Sequence, residues 1–184
     1  MKFRTQWIRY FLMGISLIIS LENAATDQDL ADPIDLNSLL LNYSEVRPGL
    51  SVSGAVNQEI IGELKSSGFR TLIDLRTPIE GVEEIGNAAR QQGLQFYNLP
   101  VGGEPPSENV INEFTTIIEE QGDGPILFYC GSANRAGLVW GMYRISKGVP
   151  VETAINEAGK IGMKPGREQQ LRDYAQQLSN NLED

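Results

Sequence analysis

Pro125-Ile126-Leu127-Phe128-Tyr129-Cys130-Gly131-Ser132-Ala133-Asn134-Arg135-Ala136-Gly137 decides how this chain is read. The residues before Cys130 are apolar or aromatic and predict a buried strand. A loop of small residues follows and ends at Arg135. An apolar helical run then begins, with Leu138, Val139, Trp140, Met142 and Tyr143. In a strand, small loop, helix arrangement the loop N–H groups and the helix N-terminus converge on one point, where an anion is favoured. A field of that sign also favours a thiolate over a thiol. Cys130 is therefore a candidate nucleophile, and Arg135 a candidate clamp whose planar fork of donors suits a phosphate, sulfate or persulfide-like anion. Gly131, Ser132, Ala133, Asn134 and Ala136 form the candidate anion-binding loop, small enough for backbone N–H groups to approach an oxyanion.

Outward from this segment, strands alternate with helices. Leu50 to Val56, Thr71 to Leu75, Leu94 to Leu99 and the run before Cys130 read as strands. Helical spacing predicts helices over 58–67, 79–92, 107–118, 136–146, 151–161 and 167–182, with Ser107 as an N-cap. This pattern predicts an α/β layered domain with a largely parallel central sheet flanked by helices. Ligands of such sheets sit at the carboxyl ends of the strands. Cys130, Asp74-Leu75-Arg76 and the Pro100–Pro106 loop all fall at those ends.

Composition narrows the chemistry. The 184 residues include one cysteine and no histidine. Histidine-based triads, Cys-His dyads, His-ligated metals and internal disulfides are thus excluded, and no metal or cofactor is expected. The first 25 residues predict an export signal. Lys2, Arg4 and Arg9 precede a 12-residue apolar run from Tyr10 to Leu21, too short for the roughly 20 residues that span a bilayer, and Asn23-Ala24-Ala25 offers a cleavage site. The alternative is an uncleaved anchor. An exported, periplasmic or secreted protein with no stable membrane span after processing is expected. The whole chain carries 15 basic and 24 acidic residues; loss of the three basic residues and Glu22 leaves 12 and 23, net −11. Nucleic acid is an unlikely partner for that charge. The expected organisation is a signal peptide at 1–25, an acidic linker with a short docking helix at 26–47, a catalytic-type domain at 48–165 and a C-terminal amphipathic helix at 166–184.

Several segments together resemble a known family. Ser53-Gly54-Ala55-Val56, Gly68 to Arg76, Leu94 to Val101, the Cys130 to Trp140 loop and helix, and Val149 to Gly162 are similar to the phosphatase-like domain of beta-lactamase hydrolase-like proteins, within the tyrosine and dual-specificity phosphatase superfamily. The resemblance covers about residues 48–165 and is specific at the loop. It implies a phosphatase-like fold, a Cys130 nucleophile, a phosphate-clamping Arg135, and a phosphorylated small molecule or phosphoprotein as partner. Three features depart from tyrosine phosphatases: Tyr129 stands where they carry His, four residues rather than five separate Cys130 from Arg135, and Ala133 replaces a loop glycine. The beta-lactamase hydrolase-like group shares the four-residue spacing.

The related enzymes also place an acid on the loop after the third strand. Here that position falls near Gly103, and Glu104 is the carboxylate in reach. A solvated loop glutamate is its other reading. Asp74 and Arg76 are expected to pair, either behind the cradle or as a strand-end ion pair. Trp140 and Tyr143 are expected to pack the helix onto the sheet. Three functions stay open: a phosphomonoester hydrolase working through a Cys130 thiophosphate, a rhodanese-like sulfurtransferase working through a Cys130 persulfide, and a non-catalytic anion-binding module. Ile73 to Pro78 resembles a rhodanese segment too, although the histidine of that pattern is absent.

Overall fold

A computed structural model describes residues 34–121 and 124–181. The expected export signal and most of the acidic segment lie outside them. Five strands form one sheet in the order β1-β2-β5-β3-β4, with β1 Ser44–Arg47, β2 Leu50–Ser53, β3 Thr71–Asp74, β4 Gln95–Asn98 and β5 Ile126–Tyr129. β1 runs antiparallel to β2; the other pairings are parallel. The layered α/β expectation holds. β1 corrects the sequence reading, because Ser44–Arg47 lies in the stretch taken for an acidic linker. Only Val46 of its four residues is apolar, too little for a strand signal. A half-exposed edge strand needs no more, since one face stays in solvent.

The sheet divides the core in two. Strand residues alternate between its faces. Leu72, Leu127 and Tyr129 face a cluster with Ile61 and Leu64 of α2 (Ile61–Ser66) and Ile85 and Ala89 of α3 (Val82–Gln91). Val52, Ile73 and Phe128 face the larger cluster, with Ile111 and Phe114 of α4 (Glu108–Thr116) and most of α5 (Asn134–Ser146). α1 (Leu36–Leu39) is the short helix expected before the first strands.

α5 is buried from Ala136 through Tyr143. It is sandwiched between the sheet on one side and α6 (Val151–Lys160) and α7 (Glu168–Asn181) on the other, and Ala158 of α6 and Leu171 of α7 are fully buried. Trp140 stacks on Phe128 with centroids 6.2 Å apart, and Tyr143 meets Phe114 edge-on at 6.1 Å, which gives both aromatics the packing role expected of them. Ser107 does precede α4, but its side chain makes no capping hydrogen bond.

Candidate active site

Parallel register sets one row of residues across the carboxyl end of the sheet: Ser53, Tyr129, Asp74 and Asn98. Cys130 follows that row directly. Its side chain joins the α5 side of the core, whereas Tyr129 joins the α2–α3 side. Cys130 is 1 % exposed. The loop then turns into α5 through Ala133, which takes a left-handed conformation at φ 63°. That conformation costs roughly 1–2 kcal/mol for a residue with a Cβ, and it explains why a glycine is the ordinary occupant there.

The carbonyls of Gly131, Ser132 and Ala133 all have hydrogen-bond partners within the chain. Gly131 O accepts from Ala55 N–H at 3.3 Å, Ser132 O from Asn42 Nδ2 at 3.1 Å, and Ala133 O from Gly137 N–H at 2.7 Å. The N-terminus of a 13-residue helix adds its dipole at the open side of this loop. Gly131, Ser132, Asn134 and Arg135 are at least partly exposed there; Ala133 and Ala136 are buried. Of the expected loop, Ala136 therefore serves as helix packing.

Arg135 carries the unanticipated feature of the site. Its Nη1 and Nη2 donate to Glu80 Oε2 and Oε1 at 2.7 and 2.6 Å, and Nη1 also donates to Val101 O at 3.0 Å. The fork thus grips a carboxylate in the bidentate geometry it would use on a phosphate. The bond to Glu80 raises the Arg135 guanidinium further above its usual range, with Cys130 adding to the effect. Glu80 in turn is held at about 2, first by Arg135 and then by Thr77. Thr77 N–H and Oγ1 both donate to Glu80 Oε2 at 2.8 Å, closing a capping box around the turn Pro78–Glu80. Glu80 was not among the sequence candidates. The Thr77-Pro78-Ile79-Glu80 spacing signals a capped turn, but nothing local says that the turn faces a loop 55 residues away.

Asp74 and Arg76 pair as expected. Arg76 Nη2 donates to Asp74 Oδ2 at 2.7 Å and Nε to Oδ1 at 3.0 Å, with Asp74 fully buried. The pair lies on the sheet face opposite Cys130, where the Arg76 guanidinium covers the Tyr129 ring at 5.4 Å. It reaches the cradle indirectly: Arg76 Nη1 donates to Glu80 O at 3.5 Å, and Asn98 Nδ2 holds Asp74 O and Arg76 O. Tyr129, in the position of the tyrosine-phosphatase histidine, is fully buried, and its hydroxyl has no hydrogen-bond partner among the described residues. Burial pushes that phenol well above the usual tyrosine range.

A cavity of about 400 Å³ opens beside the loop, lined by Thr77, Glu80, Gly103, Ser132, Arg135 and Arg167 among others. Glu104 is exposed on the adjoining loop and does not line it. A family model for the beta-lactamase hydrolase-like protein, phosphatase-like domain, matches residues 42–146, more than half of the chain. The chain belongs to that family. Its match begins at Asn42, whose side chain holds the Cys130 loop, and takes in β1.

The beta-lactamase hydrolase-like protein of Xylella fastidiosa is 28% identical over 109 residues, which are 56% of this chain and 25% of that protein. The chain thus matches about a quarter of the length of this curated relative. Solved structures share the fold. A candidate phosphatase from Neisseria meningitidis superposes with a TM-score of 0.64 at 22% identity, over 73% of this chain and 99% of that one. P. aeruginosa TpbA in complex with pTyr superposes at 0.56 and 18% identity, over 76% and 91%. The core catalytic domain of the S. cerevisiae PP-IP phosphatase SIW14, in complex with citrate, superposes at 0.59 and 17% identity, over 77% and 93%. The phosphatase-like fold is therefore this chain's own.

Proposed function

We propose that this chain is a cysteine-dependent hydrolase of phosphomonoesters. The observation that carries the reading is the Arg135 fork: beside the Cys130 loop it already holds an oxyanion, the Glu80 carboxylate, through two short bonds. A substrate phosphate takes the place of that carboxylate. The Cys130 thiolate attacks phosphorus, an S–P bond forms as the P–O bond to the leaving group breaks, and Arg135 with the loop N–H groups stabilises the equatorial oxygens. Water then attacks phosphorus, the sulfur leaves as thiolate, and inorganic phosphate departs.

Glu104 serves in this reading as the acid that protonates the leaving oxygen and as the base that later activates water. It stands next to Gly103, a cavity residue, and the Gly102-Gly103 pair gives the loop the backbone freedom to bring it inward. The phosphotyrosine and citrate of the structural neighbours are oxyanions of the kind the cradle would take. We place the mature protein outside the cytoplasm, on the basic, short-apolar and small-residue order of residues 1–25.

The test is release of inorganic phosphate from an aryl phosphate by the purified chain. We expect slow turnover that vanadate inhibits and that Cys130→Ser abolishes, with little thiocyanate made from thiosulfate and cyanide. Thiocyanate formation without phosphate release would assign the cysteine to sulfur transfer. Neither activity would leave an anion-binding module. Glu104→Gln should slow phenyl phosphate by about 10²–10⁴-fold and an activated aryl phosphate far less; equal small effects would exclude Glu104 as the acid.

A further inference from the structure

Two arginines line the cavity beside the Cys130 loop, and they stand in different situations. Arg135 is committed to Glu80 and to Val101 O. Arg167 donates from Nη1 to Gln170 Oε1 at 3.1 Å, a neutral partner, and meets no carboxylate among the described residues. Its charge is therefore available to the cavity.

Its position is fixed by the cradle itself. The segment from Ile161 to Arg167 connects α6 to α7 and passes against the Cys130 loop at two points and against the first turn of α5 at a third. Lys164 N–H donates to Asn134 Oδ1 at 2.8 Å. A Cβ on Gly162, which sits at φ 114°, would come within 2.8 Å of Ala133 Cβ. A Cβ on Gly137, in the first turn of α5, would meet Met163 N at 2.8 Å. Pro165 then opens the single turn Pro165–Arg167, whose Arg167 N–H returns to Lys164 O at 3.0 Å. An arginine on a free surface segment is ordinarily a solvated charge. This one is carried by a segment packed onto the loop that holds the nucleophile.

Charge supports the same conclusion. The chain has 24 acidic residues against 15 basic, yet the described lining of this cavity includes two arginines and one carboxylate. The local sign is opposite to that of the whole chain, which focuses anions on this mouth. We infer that Arg167 forms a second anion subsite, so that the best substrates are small phosphate esters carrying a second anionic group, a phosphate or a carboxylate, beside the phosphoryl group that Cys130 attacks. This inference rests on the phosphatase reading above for the first group. The cavity's size is in the range of small-molecule sites.

The experiment compares calorimetric binding of inorganic phosphate and of methylenebisphosphonate, which no phosphatase step can cleave, to the full chain and to two Arg167 variants. We expect the wild type to bind the bisphosphonate about tenfold more tightly, the scale of one charge-assisted hydrogen bond. Arg167→Gln should remove most of that preference while weakening phosphate much less, and Arg167→Lys should restore part of it. Equal affinities in the wild type, or a preference that Arg167→Gln leaves intact, would overturn the subsite; the first of these needs no variant to fold. Phenyl phosphate turnover is measured alongside. A bisphosphonate preference with no turnover counts against the phosphatase reading alone. Turnover with no preference counts against the subsite alone.

Discussion

Glu80 and Arg135 are locked together by Thr77 on one side and the Val101 carbonyl on the other, so the pair has a definite geometry before any ligand arrives. Its pH dependence follows. The Glu80 carboxyl falls to about 2 in the folded chain, below the roughly 4.3 of an unfolded glutamate. A depressed carboxylate stabilises the fold above its unfolded value, and that stabilisation is lost as pH drops through the folded value. Glu80→Gln should therefore lower the urea midpoint at pH 7, and the deficit should shrink below about pH 4 and vanish only below about pH 2. A deficit that stays constant across this window would mean that the charge is irrelevant. Asp74 gives a larger effect at a buried position. Asp74→Asn leaves the Arg76 guanidinium buried beside a neutral amide, and breaking such a pair costs roughly 3–5 kcal/mol, readable from urea denaturation at pH 7. Cys130 and Arg135 stood out as candidates in the sequence because strand, loop and helix are contiguous. Glu80 and Arg167 did not, since contacts distant in sequence bring them to the cavity: Glu80 meets Arg135 across 55 residues, and Lys164, on the segment that carries Arg167, meets Asn134 across 30.

At the scale of elements, α5 is the helix packed on both sides, against the sheet and against α6 and α7. Gly137 and Gly141 are one helical turn apart and clear a face on which α6 and α7 lie close: a Cβ on Gly137 would meet Ala158 O at 2.8 Å, and one on Gly141 would meet Leu171 Cδ1 at 2.7 Å. On an exposed helix, glycine to alanine gains about 1 kcal/mol of propensity. At Gly137 the obstacle is backbone, which cannot rotate aside, so Gly137→Ala should instead destabilise by about 1–2 kcal/mol net. It should also reduce phosphate affinity, because the segment it displaces, Met163 and beyond, is the one tied to Asn134. An alanine variant as stable as the parent would show that α5 and α6 can slide apart freely. Element order was readable from apolar spacing wherever an element buries one full face, as α3 does. β1 escaped because its half-buried edge position asks for only one apolar side chain in four. The rotation of Glu80 toward the cavity escaped because the turn Pro78–Glu80 is too short to have a periodicity.

At the scale of the whole molecule, the family match and the folding unit have different extents. The match ends at residue 146, the last residue of α5. Yet α5 has no solvent face to spare: Ala136 through Tyr143 are buried, and α6 and α7 cover the side turned away from the sheet. Leu171, at 0 % exposure, fills the space that Gly141 leaves, and Tyr174, Ala175 and Leu178 continue the contact along α7. The same C-terminal stretch supplies Gly162, Lys164 and Arg167 to the cradle. A chain ended at residue 146 would leave one side of an apolar helix in water, a loss of the same order as the roughly 5–15 kcal/mol that holds a domain folded. We expect residues 34–146 to be aggregated or to lack a cooperative urea transition by circular dichroism, and residues 34–181 to show one. Within the longer chain, Leu171→Ala should cost about 2–5 kcal/mol, the range for a buried leucine whose cavity does not collapse. A cooperative transition from residues 34–146 would show that α5 finds its place on the sheet unaided, and that α6 and α7 are additions to a core already complete.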